Sequence, residues 1–196
     1  MCIGLDGETG NIFKVILPFH NNSPMTNNNL NQLITEHIDF PKKGIIFKDL
    51  LPLLQHPDIF TNLINNMSSS EILKESDAII SIDARGFIFG TAISIQLSKP
   101  MIVARKPGKL PGDLLTKSYK LEYGNNSLSI QKRAIEKYQS FGIVDDLLAT
   151  GGTAQCVSEI LKEAGKEIRG LSVVAELSEF NAKDLLPFPV KSEITF

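Results

Sequence analysis

Only two cysteines, Cys2 and Cys156, occur in the 196 residues. Two thiols are too few for a disulfide framework, so a stapled secreted scaffold is a poor reading and two reduced thiols in a cytoplasmic protein are expected. Neither sign of charge is in excess. Twenty Lys and Arg stand against 22 Asp and Glu, a net charge of −2. A dedicated nucleic-acid binder usually carries a basic surplus, so no nucleic-acid partner is expected. No apolar run approaches the ~20 residues that a membrane span needs, so no membrane partner is expected either. The longest candidate near the start, Ile12 to Phe19, is interrupted by Lys14 and Pro18. Asp6 and Glu8 precede it, where a secretory signal would carry positive charge. His20, His37 and His56 are scattered without ligand spacing, and no metal-ligand cluster is present.

What the chain has is the makeup of one ordinary domain. Hydrophobic residues are 42% and charged residues 21%, close to the globular average. Residues 1–24 show no clear period and end in the turn-like Asn21-Asn22-Ser23-Pro24. Leu30, Leu33, Ile34, His37 and Ile38 fall at helical spacing, which predicts a short helix ended by Pro41 and Gly44. Ile45-Ile46-Phe47 reads as a strand, and Pro57 opens a helix with Ile59, Phe60, Leu63, Ile64 and Met67 on one face. Four short apolar runs follow, at 78–82, 101–104, 141–144 and 171–175, with helical segments from about Phe87 to Leu97 and from Ala154 to Ala164. Strands alternating with helices predict an α/β fold with a parallel sheet covered on both faces. One segment breaks the alternation. Tyr119, Leu121 and Tyr123, a turn at Gly124 to Ser127, then Leu128 and Ile130 predict a β-hairpin, a candidate lid.

The strongest chemical signal is Ile143-Val144-Asp145-Asp146-Leu147-Leu148-Ala149-Thr150-Gly151-Gly152-Thr153. An apolar strand leads into two adjacent carboxylates, then a turn of small residues and a helix start. The carboxyl ends of strands are where open α/β sheets bind ligands. Thr150 to Thr153 offer backbone N–H groups at a helix N-terminus, where the dipole favours an anion. Two acids beside a phosphate cradle must face something else, such as sugar hydroxyls, a metal-bound water or a developing cation. The combination points to a phosphorylated sugar whose ring becomes positively charged. Neither the P-loop lysine nor the Gly-x-Gly-x-x-Gly of dinucleotide sites is present.

On these residues the chain resembles the type I phosphoribosyltransferases, and within them the adenine-using branch. The resemblance runs from about Asp39 to the C-terminus. It is carried by Asp39-Phe40-Pro41 with Gly44-Ile45-Ile46-Phe47-Lys48-Asp49, by Asp83-Ala84-Arg85-Gly86-Phe87-Ile88-Phe89-Gly90, and by Arg105-Lys106-Pro107-Gly108-Lys109-Leu110-Pro111-Gly112. Ser118-Tyr119-Lys120-Leu121-Glu122-Tyr123-Gly124 and the loop at 145–153 complete it. The resemblance implies a twisted, mainly parallel sheet flanked by helices, with a small N-terminal hood at about 25–56 and a hairpin flap at about 105–132. Residues 1–24 have no counterpart, so the domain is expected to span 25–196.

It implies a purine salvage enzyme that converts adenine and 5-phosphoribosyl 1-diphosphate to AMP and diphosphate. Ala149, Thr150, Gly151, Gly152 and Thr153 would hold the 5-phosphate, and Asp145 and Asp146 the ribose hydroxyls and the oxocarbenium-like transition state. Arg85, Arg105 and Lys109 suit the diphosphate. Ile46, Phe47 and Lys48 would bind adenine on one side and Leu177 would pack on the other. Glu122 would manage the purine's proton from the flap, with Tyr123 as a wall against water. Mg2+ would bridge the diphosphate and ribose through substrate oxygens and water, with no direct protein ligand, in a cytoplasmic homodimer. Two other readings are a related transferase for another base and a regulator that binds phosphoribosyl diphosphate. The Leu-Glu-Tyr-Gly flap argues against the first and the even charge against the second.

The chain departs from the pattern in three places. Lys48 stands where arginine is common. If its side chain pairs with a carboxylate, the exchange is not conservative. Residues 137–140 lack the usual Pro-Gly turn. Gly142 interrupts an otherwise apolar strand and is expected to weaken it by ~0.5–1 kcal/mol relative to alanine.

Overall fold

The computed structural model describes residues 3–5, 12–14, 27–121 and 124–196. Strands β1 (Ile3–Leu5) and β2 (Ile12–Lys14) form an antiparallel pair in the segment where no period was legible. Helix α1 (Asn27–Leu33) precedes a second antiparallel pair, β3 (Thr35–Ile38) and β4 (Ile46–Asp49). Helices α2 (Pro57–Ser68) and α3 (Glu71–Lys74) lead into β5 (Ala78–Ile82), α4 (Gly86–Leu97) and β6 (Met101–Ala104). The hairpin β7 (Leu114–Leu121) and β8 (Gly124–Gln131) follows, then α5 (Lys132–Ile135) and β9 (Ser140–Leu148). The chain continues through α6 (Gly152–Glu163), β10 (Glu167–Glu176), α7 (Ala182–Leu185) and β11 (Val190–Thr195).

Five strands make one parallel sheet in the order β11-β10-β9-β5-β6. Its two faces are buried in two separate cores, which is why the central strands read as unbroken apolar runs. Ile80, Ile82, Phe141, Ile143 and Val173 pack on one face against Val157, Ile160 and Leu161 of α6. Ile79, Val144 and Val174 point the other way, to Leu63, Ile64 and Met67 of α2 and Phe89 and Ile93 of α4. Among the described residues no helix is long and apolar enough to cross a membrane.

The structure corrects four expectations. The helix expected to reach Ile38 stops at Leu33, because 35–38 pair with 46–49 as a strand. Glu36 is thereby set opposite Lys48, and His37 opposite Phe47. The turn expected at Gly124 to Ser127 is strand, with the ladder running out to Leu121 opposite Gly124. The acids do not follow their strand but lie inside it, because β9 stays paired with β10 as far as Leu148. An unforeseen strand, β11, closes the sheet edge beyond β10.

Gly142 is the fourth case. It does not weaken the strand for want of a side chain, because a side chain has no room. A Cβ there would lie 2.8 Å from Leu73 Cδ2 and 3.1 Å from the carbonyl oxygen of Ile72. Glycine lets α3 press directly on β9. The missing Pro-Gly turn has a substitute nearby. Asp77 Oδ2 accepts hydrogen bonds from the N–H groups of Gln139 at 2.9 Å and Ser140 at 2.8 Å. These donors hold the Asp77 carboxyl below its ordinary value. Gly142→Ala is therefore expected to cost about 1–3 kcal/mol by overpacking. Urea denaturation measures this, and an equal or higher midpoint would show that Leu73 moves aside freely.

Candidate active site

The parallel sheet brings the carboxyl ends of β5, β6, β9 and β10 to one edge, and Arg85, Arg105, Asp145, Asp146, the loop at 149–153 and Leu177 lie at or just beyond these strand ends. Asp146, near the end of β9, is 5% exposed. Its neighbour Asp145 accepts a hydrogen bond from the Asp146 N–H at 2.9 Å on Oδ1. Burial pushes the Asp145 carboxyl well above its ordinary value, and the adjacent Asp146 adds to the rise. Burial also raises Asp146, while the Arg85 guanidinium pulls it down.

The close approach of α4 to this pair depends on Gly86. A Cβ there would stand 2.9 Å from Asp145 Oδ1 and 3.1 Å from the Val144 carbonyl oxygen. Helix α4 thus starts against the acids, and Arg85, the residue before it, reaches Asp146. Arg85 Nε lies 2.8 Å from Asp146 Oδ2. The contact is a charge pair without a well-aligned hydrogen bond. Among the described residues neither Asp146 Oδ2 nor Arg85 Nη1 has a hydrogen-bond partner, although both atoms are buried. The same guanidinium carbon stands 5.0 Å from the centre of the Phe47 ring.

The loop after β9 turns at Gly151, whose φ of +80° favours glycine. Gly151 caps α6, so the N–H groups of the first turn of that helix face outward from its positive end. Gly152 then passes under the flap, where a Cβ would lie 3.1 Å from Tyr119 Cδ2. Sequence reasoning did not single out Tyr119 as a site residue. Its place in the alternation of β7 and the lack of a side chain at Gly152 were the available signals. Burial raises the Tyr119 phenol.

Arg105 and Lys109 separate in the structure. Arg105 leaves the end of β6 and donates from Nε to Asp83 Oδ2 at 3.0 Å. Its backbone also bridges to Ser129 of β8 in both directions, at 2.9 and 2.7 Å. Asp83 and Ser129 therefore fix Arg105, and neither was foreseen. Lys109 lies in an exposed turn closed by its N–H to the Lys106 carbonyl at 3.3 Å. Among the described residues its ammonium has no ion pair.

The lower flap is pinned down. Lys117 pairs with Glu163 of α6, and with Glu159 at 3.6 Å. Cys156 of α6 donates to the Lys117 carbonyl at 3.3 Å. Burial pushes this thiol up to about 11. The roles expected of Glu122 and Tyr123 fall on positions outside the described residues.

The hood hairpin supplies the aromatic side. The Phe47 ring meets Phe40 edge-on at 5.3 Å. Ile46 and Lys48 alternate with Phe47 along β4, so their side chains leave from the opposite face of the strand. Only their backbone shares the ring's side. The Lys48 ammonium pairs with Glu36 and stands 4.0 Å from the centre of the Phe196 ring. The lysine is thus engaged by a carboxylate within the hood. Leu177 sits just past β10, and its N–H donates to the Leu148 carbonyl at 2.8 Å. A separate cavity of about 480 Å³ opens at the flap base, between Pro111–Asp113 and Gln131–Arg133, and includes none of the acid pair or loop residues.

Among the described residues no group of three or more His, Cys, Asp or Glu is placed to hold a metal ion. What the site offers instead is two acids, two guanidinium groups, a loop of backbone donors and an apolar ring within one sheet edge.

Comparison with known proteins identifies the family. The family model of the phosphoribosyl transferase domain matches residues 52–190. The adenine phosphoribosyltransferase of Prochlorococcus marinus (strain MIT 9211) is 73% identical over 172 residues, covering 88% of this chain and all of that protein. The crystal structure of adenine phosphoribosyltransferase from Thermoanaerobacter pseudethanolicus superimposes with a TM-score of 0.82 at 36% identity, covering 87% of this chain and 100% of that one. The Saccharomyces cerevisiae enzyme, complexed with an imino-altritol bisphosphate and adenine, gives 0.78 at 32% identity, over 85% of this chain and 97% of that one. The chain belongs to the phosphoribosyltransferases and, within that family, groups with the adenine phosphoribosyltransferases.

Proposed function

We propose that this chain transfers the phosphoribosyl group of 5-phosphoribosyl 1-diphosphate to adenine, giving AMP and diphosphate in purine salvage. The observation that carries the reading is the Asp145–Asp146 pair, part-buried and buried respectively, set between Arg85 and the outward N–H groups of the loop at Gly151. An anion belongs on the loop, and a cation belongs beside the acids. A phosphorylated sugar passing through an oxocarbenium-like state has both.

In this scheme residues 149–153 hold the 5-phosphate by backbone donors. Asp145 and Asp146 accept from the ribose hydroxyls and stabilise the positive ring as the bond to diphosphate breaks. Arg85 and Arg105 receive the diphosphate, with Lys109 brought in from its exposed turn. Adenine stacks on Phe47, its edge read by the backbone at Ile46 and Lys48, with Leu177 on the other side. As the purine nitrogen bonds to the ribose carbon it loses its proton. Glu122 takes that proton, and returns it in the reverse direction, while Tyr123 excludes water.

Mg2+ fits this site through substrate oxygens and water. The two carboxylates can accept from such waters, and Asp146 Oδ2 has no hydrogen-bond donor among the described residues. The chemistry such an ion would supply is neutralisation of the diphosphate charge, with Asp145 and Asp146 holding its waters. A cytoplasmic homodimer completes the reading, which family membership supports.

The direct test is adenine consumption and AMP formation with phosphoribosyl diphosphate and magnesium. A folded protein that binds phosphoribosyl diphosphate but turns over no adenine would overturn it. Asp145→Asn should keep the fold and lower the rate by roughly 10²–10³. The raised Asp145 value has a sign that can be checked. Its anionic form is lost as pH falls, so kcat/KM should drop on the acid side at a pH above the ordinary carboxylate value of 3.8. That limb should change its midpoint in Asp145→Asn, with an acid limb remaining from Asp146 and Glu122.

Glu122→Gln should slow single turnover by ~10²–10⁴ and leave phosphoribosyl diphosphate binding nearly unchanged. A single-turnover rate equal to wild type would remove Glu122 from the mechanism. The domain is proposed to span 25–196, with 1–24 dispensable, and the 172-residue extent of the Prochlorococcus match supports that boundary. A chain starting at Met25 should keep its melting temperature and activity, and aggregation on truncation would show that the leading segment packs on the domain.

A further inference from the structure

Arg85 touches both halves of the site at once. Its Nε lies 2.8 Å from Asp146 Oδ2, on the ribose side. Its guanidinium carbon lies 5.0 Å from the centre of the Phe47 ring, on the base side. A planar cation at that distance covers the ring face. The covered face is the one turned toward Asp146, because one short guanidinium group spans the two. It is therefore the face on which the site would receive a flat base. A third observation bears on the same group. Arg85 Nη1 is buried with no hydrogen-bond partner among the described residues, and Asp146 Oδ2 lacks an aligned donor. Buried polar atoms are normally satisfied, so this arrangement is poised to change partner.

We propose that Arg85 is a positioning residue that keeps the base platform closed until a diphosphate draws it away. The inference rests on the reaction proposed above and adds to it an order built into one side chain. In the free protein the guanidinium neutralises Asp146 and covers Phe47. A diphosphate oxygen pair matches the guanidinium fork better than a single misaligned carboxylate oxygen does. Turning toward the diphosphate satisfies Nη1 and uncovers the ring. Adenine then meets a free aromatic face. Adenine arriving first must displace a cation from both the ring and a buried carboxylate, with no new partner for the cation. Binding of the two ligands is thus coupled, and the coupling is reciprocal.

The test uses equilibrium binding of adenine to the full chain, with and without inorganic diphosphate, in magnesium chloride. No ribose is present, so nothing turns over. For wild type, saturating diphosphate should tighten adenine about tenfold, within the usual range of such couplings. Saturating adenine should tighten diphosphate by the same factor. In Arg85→Gln, adenine should bind the free protein about tenfold tighter than it binds free wild type, and diphosphate should change that by less than twofold. A merely structural role for Arg85 cannot produce a gain in affinity. Arg85→Lys keeps a charge for Asp146 but not the planar cover, and should also gain adenine affinity.

Equal adenine affinity with and without diphosphate in wild type would overturn the proposal, and that result needs no variant to fold. So would a folded Gln variant that binds adenine no tighter than wild type. Turnover of adenine in the standard assay, alongside either result, would leave the reaction standing and remove only the gate. Failure of wild type both to bind and to turn over adenine would overturn the two together.

Discussion

Two adjacent carboxylates sit near the end of a central strand, one of them buried and the other part-buried. Asp146 is buried and Asp145 is pushed toward its protonated form by that burial and by its neighbour. An acid pair so placed is expensive unless something compensates it. Much of the surrounding architecture is such compensation. Gly86 lets a helix N-terminus come within contact of Asp145. Arg85 reaches across to Asp146 from the residue before that helix. A second pair, Asp83 with Arg105, sits on the adjacent strand ends. Arg85, Gly86, Asp83 and Arg105 are all placed around the acids by the ends of β5 and β6.

The flap and the hood are attached to this centre in different ways. The flap joins the end of β6 by the Arg105–Ser129 backbone bridge and lies on α6 through Lys117 and Tyr119. Because Tyr119 rests on Gly152, the flap's lower half and the loop at 149–153 are one packed unit. The hood touches the centre through side chains, with Phe47 under Arg85 and Lys48 over Phe196. Its contacts with the domain are thus partly cation–aromatic, and such contacts are modest in strength. Beneath the β3–β4 pair, Leu30, Ile34, Leu50 and Leu53 anchor the same segment in the second core, so only its outer hairpin relies on such contacts.

The sheet was legible because its strands are short, apolar and spaced by helices. The runs at 78–82, 101–104, 141–144 and 171–175 all became strands. The acids, the loop and Arg85 were legible because their chemistry is packed into short contiguous segments. The failures have a common cause, which is pairing between distant segments. Thr35–Ile38 has helical spacing but is claimed by 46–49. Gly124 to Ser127 has turn composition but is claimed by the opposite strand. Gly142 looked like a flaw until α3 was seen against it. Asp83, Tyr119 and Ser129 matter only through partners that no local pattern announces.

Cys156 carries a consequence for how the chain meets oxidants. Its sulfur is buried between α6 and the flap strand, donates to the Lys117 carbonyl, and has a thiol value of about 11. At neutral pH only about one such group in 10⁴ is a thiolate, and the thiolate is the nucleophile that attacks peroxides and disulfides. Sulfenic acid, glutathione adducts and mixed disulfides therefore have little purchase at this position. The sulfur that helps fasten the flap to α6 is chemically quiet, and the fastening is insulated from redox stress.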